Sequence, residues 1–316
     1  MSSATITAAA KANCSRLRHV YESQQFTVPL LMELFDRTRQ MEKIVARGGT
    51  LDYQNRIMAT LFYEPSTRTR FSFEAAMHRL GGRVLSTEHA RAFSSEMEGE
   101  QVEDSIRIIG GYSDVIVIRH NEAGGAKRAA LVSPVPVINA GDGQGGQHPT
   151  QALLDLYTIY RERPLTGLSV AFIGELDRGR TARSLAYLLA KFERVKVYFV
   201  APPELQMRPD ILDYLDRHGV HYELESDISR VVREVDVVYQ TRIQPNRVSG
   251  PLKPFAIDSG VLSQMRPDAI ILHPLPRTVE LDKTVDDDPR ALYFRQAKNG
   301  LYVRMAILTM LLDKDL

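Results

Sequence analysis

Short, unbroken apolar runs recur along this chain and constrain its fold more than any other feature. They fall within Asn55–Tyr63, Asp114–Arg119, Val135–Ala140, Leu168–Ile173, Val195–Val200, Val235–Tyr239 and Ala269–Leu272, with a shorter one at Gly82–Thr87. Runs that lack polar alternation read as buried strands, and buried strands separated by helices build parallel sheets. Helical spacing of apolar residues fills the gaps: Thr27 to Gln40 with a continuation to Ala46, Thr67–Leu80, Val102–Gly110, Thr181–Phe192, Pro209–His218 and Gly300–Leu312, with a further helix that starts at His148. His89–Gln101 reads as a polar loop long enough to cross a surface. At 316 residues the chain exceeds the usual single-domain range. The expectation is two doubly wound, parallel-sheet α/β domains with a site between them. One comprises residues 1–149 with 299–316; the other, residues 150–298, is entered through Arg163-Pro-Leu-Thr-Gly167.

Polar residues gather where these strands end. The first strand runs into Phe62-Tyr-Glu-Pro-Ser-Thr-Arg-Thr-Arg-Phe-Ser-Phe-Glu74, which puts Ser66 to Arg70 at a helix start. Unpaired N–H groups and the helix dipole favour an anion there, and Arg68 adds a bidentate cation. A plainer use is equally open at this point: Ser66 or Thr67 caps the helix and both arginines are solvated. Arg119 ends a strand, and His148 and Gln151 stand at the start of a helix whose Pro149 suits the first turn. Gly174-Glu-Leu-Asp-Arg-Gly-Arg180 lacks the glycine pattern of a dinucleotide turn and carries Arg178 and Arg180, so a small anion fits it better. Arg242 and Gln244 follow another strand, and His273-Pro-Leu-Pro-Arg277 is a loop stiffened by two prolines. In doubly wound sheets these ends share one edge. The set is rich in cations and donors and poor in carboxylates. It suits electrostatic stabilisation of anionic substrates rather than metal binding or paired-carboxylate hydrolysis.

Charge excludes other partners. With 40 basic and 39 acidic residues the net charge is +1, so neither nucleic acid nor an acidic membrane surface is expected as the main partner. Cys14 is the only cysteine, which rules out an internal disulfide or a cysteine metal cluster and fits a reducing compartment. No apolar run approaches the roughly 20 residues of a membrane helix, so a cytoplasmic protein is expected. The first twenty residues lack acidic side chains and weakly resemble a transit peptide, although a frayed tail is the preferred reading.

Taken in order, Phe62 to Arg70, Arg119-His120, His148-Pro-Thr-Gln151, Gly179-Arg-Thr181, Arg242-Ile-Gln244 and His273-Pro-Leu-Pro276 resemble the motifs of aspartate carbamoyltransferase catalytic subunits, in the aspartate/ornithine carbamoyltransferase superfamily. The resemblance runs from Phe26 to the C-terminus. Ornithine-specific members normally carry a cysteine in place of Pro274 and a Ser-Met-Gly signature, and neither is present. The resemblance implies transfer of the carbamoyl group of carbamoyl phosphate to L-aspartate, an early step of pyrimidine synthesis, with no metal or organic cofactor. By matching motif, Ser66, Thr67, Arg68, Thr69 and Arg119 would hold the phosphate, and His148 and Gln151 the carbamoyl end. Pro274 and Leu275 would offer backbone groups, while Arg180, Thr181, Arg242 and Gln244 would grip aspartate. Arg68, Thr69, Arg119 and His148 would carry the catalysis. The family also implies a homotrimer, within a larger assembly in some members, in which the loop at Phe93–Glu100 reaches a neighbouring subunit.

Departures from the family pattern fall in the reaching loop and around the second substrate. In the reaching loop Ser94 matches, but Glu98 stands where the family carries a lysine. At an effective dielectric near 20 and about 4 Å a unit-charge interaction is on the order of 4 kcal/mol, so the reversal bears on rate. Asn246 replaces a glutamate that would orient Arg242, Glu175-Leu-Asp-Arg-Gly179 is atypical, and Gly143-Gln-Gly-Gly146 is one residue longer than usual. Two other outcomes therefore stay open: a related amine as acceptor, with Glu98 contacting a cationic group, and a weakly active or inactive relative that binds carbamoyl phosphate or a partner.

Overall fold

The computed structural model describes residues 17–88, 101–248, 250 and 253–313. In chain order the main elements are α1 (Val28–Ala46), β1 (Ile57–Phe62), α2 (Thr67–Arg79), β2 (Arg83–Glu88), α3 (Val102–Gly110), β3 (Val115–Arg119), α4 (Gly125–Val132), β4 (Val137–Asn139) and α5 (Pro149–Glu162). There follow β5 (Ser169–Ile173), α6 (Arg180–Leu189), β6 (Lys196–Val200), α7 (Pro209–Arg217), β7 (His221–Glu225), β8 (Val237–Gln240), α8 (Ser259–Leu262), β9 (Ile270–Leu272) and α9 (Tyr293–Leu312).

The strands form two sheets, ordered β2-β1-β3-β4 and β7-β6-β5-β8-β9, and every pairing within them is parallel. This is the expected two-sheet α/β architecture. The unbroken apolar runs have the predicted cause: every residue of β3 and β8 is buried, as helices cover both faces. In each sheet the chain returns to the far side of its first strand, so the strand order reverses between β1 and β3 and again between β5 and β8. Crevices at such reversals bind ligands outside the carboxyl ends of the strands. Phe62 pairs with Arg119 across the first reversal and Ile173 with Gln240 across the second. The C-terminal helix α9 packs on α1, α2 and α5, so the end of the chain returns to the first sheet.

Three elements have no counterpart in the sequence reading. Strand β7, HYELE, lies at a sheet edge and has exposed and half-buried positions, so it lacks an unbroken apolar run. Helix α4 is entered from Gly124 in the left-handed region (φ 83°), and two glycines in a row read as a loop. Helix α8 spans four residues. Helix α9 begins at Tyr293 rather than at Gly300, because that glycine lies inside the helix, where a Cβ would collide with the guanidinium of Arg304. Among the described residues no helix is long and apolar enough to cross a membrane, and no cluster of His, Cys, Asp and Glu is placed to hold a metal ion.

Candidate functional site

The N-termini of α2 and α5, with loops from β3, β8 and β9 and one face of α9, enclose a cavity of about 510 Å³. Ser66, Thr67, Arg68, Thr69, Arg119, His148, Gln151, Pro274 and Leu275 all line it, as do Thr181 and Arg242. Ser66 holds the N-cap position of α2, yet its side chain makes no capping bond, and neither does that of His148 at the start of α5. Capping therefore does not consume these groups. Arg70, the second cation of the motif, turns away to pair with Glu74 and to lie over Phe71.

Arg119 is 7% exposed. It reaches the Ala140 carbonyl (3.2 Å) and Glu64 Oε2 (2.9 Å), and its Nε has no partner among the described residues. Burial first, then the charge of Arg180, lowers its pKa to about 10 against the pull of Glu64, so it stays cationic at neutral pH. A buried guanidinium with an unused donor is a ready anion contact. His148 is buried, and its backbone N–H donates to Ser184 Oγ of α6 (2.8 Å). Burial, then Arg119, Arg180 and Arg304, holds its imidazole well below the usual pKa, so it is neutral and can donate one hydrogen bond without adding charge.

A second cavity of about 300 Å³ adjoins the first and shares Thr181, Arg242 and residues His273 to Pro276 with it. Arg180 and Gln244 line this second space, with Glu64, Gln144, Glu175 and Arg178. Arg180 Nη1 donates to Glu64 Oε2 (3.0 Å) and to the Asp142 carbonyl. Arg242 is exposed and has no hydrogen-bond partner among the described residues. Its loop is fastened by Arg247, which bonds Glu175 and Asp177 (Nη2 to Asp177 Oδ2, 2.8 Å). Arg178 donates to Gln144 Oε1 of the lengthened glycine run (3.2 Å). In the shared wall Leu275 N–H donates to His273 Nδ1 (2.8 Å), so the other ring nitrogen carries the proton toward Glu280 Oε1 (3.0 Å). Pro274 has no N–H and that of Leu275 is engaged, so the loop offers a ligand its carbonyl oxygens.

The structure thus brings together every predicted site residue except Ser94 and Glu98, which lie outside the described residues. Sequence reasoning assigned no role to Glu64, the carboxylate set between Arg119 and Arg180, although it sits inside the motif that was read. It also passed over Arg247, the buried Gln296 and Arg304 that line the cavity, and the buried Asp155 behind it.

Two adjoining anion spaces, with a neutral imidazole in the first and carbonyl oxygens at their junction, define a group-transfer cleft between two parallel-sheet units. Residues 18–161 match the family model of the aspartate/ornithine carbamoyltransferase carbamoyl-P binding domain, and residues 166–311 match that of the Asp/Orn binding domain. The chain belongs to the aspartate/ornithine carbamoyltransferase family and is a transferase. It is 54% identical over 305 residues to the chloroplastic aspartate carbamoyltransferase of Arabidopsis thaliana, covering 94% of this chain and 78% of that one. The aspartate carbamoyltransferase catalytic subunit of Methanothrix thermoacetophila is 44% identical over 302 residues, with 94% and 98% coverage. Among solved structures, the Trypanosoma cruzi aspartate transcarbamoylase in complex with carbamoyl phosphate and aspartate superposes with a TM-score of 0.88 at 39% identity, covering 93% of this chain and 95% of that one.

Proposed function

We infer that this enzyme transfers the carbamoyl group of carbamoyl phosphate to the amine of L-aspartate, giving N-carbamoyl-L-aspartate and phosphate in pyrimidine synthesis. The observation that carries this reading is the pair of adjoining cationic cavities that meet at Thr181, Arg242 and the His273 to Pro276 loop, with neutral His148 in the wall of the first. In the proposed reaction Ser66 to Thr69 and Arg119 hold the phosphate, and Arg180, Thr181, Arg242 and Gln244 hold the two carboxylates of aspartate. The amine nitrogen attacks the carbamoyl carbon, and negative charge grows on the carbonyl oxygen, where His148 donates a hydrogen bond. The C–O bond to phosphate then breaks. The electron pair leaves with phosphate into the field of Arg68 and Arg119, and the proton of the attacking amine passes to the departing phosphate.

Steady-state kinetics with both substrates, on the native chain and on Glu98→Lys, test this. Turnover with aspartate supports the reading, and carbamoyl phosphate binding without turnover of any amine overturns it. A rate raised by Glu98→Lys identifies Glu98 as inhibitory. Preference for another amine favours the alternative acceptor, for which the departures at Glu98 and Asn246 are the support.

We propose a homotrimer. Its support is that Leu85 on edge strand β2 and Phe71 on α2 are large apolar side chains left exposed in the single chain. A monomer by light scattering at micromolar concentration contradicts it. The division into residues 1–149 with 299–316 and residues 150–298 is likewise proposed, with the packing of α9 on α1 and α2 as its support. The compartment proposed is the cytoplasm. Plant relatives named chloroplastic make the plastid the alternative, and cell fractionation decides between them.

A further inference from the structure

Behind the first cavity lies a fully buried carboxylate that does not line it. Asp155 is one turn along α5 from Gln151, is 0% exposed, and accepts three hydrogen bonds: from Gln151 Nε2 (2.8 Å) and Gln296 Nε2 (2.6 Å) on Oδ1, and from Tyr239 Oη (2.7 Å) on Oδ2. Burial raises its pKa to about 6 against the opposing effect of these donors, so at neutral pH it is ionised and can only accept. That fixes the sense of both amides. Gln151 must turn its nitrogen to Asp155, which leaves Oε1 as the end that the cavity can use. Gln296 must do the same, and its Oε1 accepts from the backbone N–H of His273 (2.9 Å). From His273 the chain of bonds continues to Leu275 N–H (2.8 Å). One carboxylate is thereby connected to the side chain proposed to read the carbamoyl amide and to the loop proposed to hold it. Resting on the function proposed above, the link explains why a charge is buried here at all, since an apolar residue would leave two glutamine amides free to rotate.

We propose that Asp155 is a positioning residue, which from outside the cavity turns the carbonyl oxygen of Gln151 toward the carbamoyl NH₂ group and, through Gln296, sets the His273 to Leu275 backbone. A carbamoyl NH₂ donates two hydrogen bonds and matches acceptors on both sides. An inverted Gln151 would present a donor to it and leave that donor unpaired. Inorganic phosphate, which has no carbamoyl end, is indifferent to this arrangement.

The test is a ratio of affinities measured without turnover. Calorimetry with inorganic phosphate and with phosphonoacetamide, a phosphonate that carries the same primary amide, is run on the native chain, Asp155→Leu and Asp155→Asn. Asp155→Leu is expected to lose about tenfold of the native preference for phosphonoacetamide while phosphate affinity stays within about twofold. Asp155→Asn restores most of it, because Oδ1 can still accept from both amides while Nδ2 donates to the Tyr239 hydroxyl. In turnover the Leu variant lowers kcat more than it raises KM for aspartate. An unchanged preference in Asp155→Leu, or an equal loss for both ligands, overturns the proposal, the latter because it marks a residue that only holds α5 in place. If Asp155→Leu does not fold, Gln296→Met carries the test: a preference reduced by about threefold or more supports the link, and an unchanged one overturns it. A native chain that binds phosphonoacetamide but transfers no carbamoyl group overturns the proposed reaction, and the ratio still decides the role of Asp155.

Discussion

The two cavities are built from the same parts, a strand end and a helix N-terminus, yet they hold their cations differently. On the phosphate side Arg119 is buried, bonded to the Ala140 carbonyl and Glu64, and fixed at the end of a fully buried strand. On the acceptor side Arg242 is exposed, and its loop is pinned a few residues away, where Arg247 grips Glu175 and Asp177. The first arrangement is in place before any ligand arrives. The second fastens a loop and leaves the ligand-facing cation free to move. Buried cations bind an anion strongly because little water competes, whereas an exposed one is screened until a ligand covers it.

Among the described residues the departures from the family pattern fall on the second side, and several of them touch each other or share a partner. Glu175 and Asp177 of the atypical turn take up Arg247, next to the Asn246 that replaces a glutamate, while Arg178 of the same turn meets Gln144 of the lengthened glycine run. A loop tethered by side chains can exchange one set of ion pairs for another. A strand end inside a packed sheet cannot.

Alanine substitutions separate the two sides, beginning with the largest effect. Arg119→Ala removes two charge-assisted hydrogen bonds from a dry site, each of about 2 kcal/mol, so kcat/KM for carbamoyl phosphate should fall about 10³-fold. Arg242→Ala should lower kcat/KM for aspartate about 10²-fold and leave phosphate affinity unchanged, which calorimetry can read. Loss of phosphate binding in that variant breaks the comparison. Arg247→Ala only loosens the loop, and a rise of about tenfold in KM for aspartate with little change in kcat is expected.

The smallest effect concerns pH. His148 stays neutral in the folded chain, whereas an unfolded histidine takes up a proton below about 6.5. The unfolded state then binds more protons, so this residue's contribution costs stability as pH falls below that value, by about 1 kcal/mol over the first unit. Urea denaturation of the native chain and of His148→Gln at pH 6.5 and 5.5 checks it: the native chain should lose more.

Much of this was legible in the sequence because strands buried on both faces leave unbroken apolar runs, and the polar residues that end them mark the site. Arg119 and Arg242 were readable for that reason alone. Edge strand β7 was not, since a half-exposed HYELE carries charge along its length. Asp155 was hidden in another way: its helix is buried almost all round, so a single acid in QALLDLY has no apolar face to stand out against. Its partners Tyr239 and Gln296 lie 84 and 141 residues away, on β8 and α9, and only the fold brings them together. Glu64 was visible but mute, because its value depends on standing between two distant arginines, one at the end of β3 and one at the start of α6.

A fixed phosphate side and a loosely held acceptor side imply that the first is formed in the free chain and the second is completed on it. Calorimetric titration of aspartate into the native chain, with and without saturating phosphonoacetamide, tests this most directly. Phosphonoacetamide should bind the free chain and raise aspartate affinity at least about tenfold, a coupling of about 1.4 kcal/mol. Equal aspartate affinity in the two titrations would contradict it.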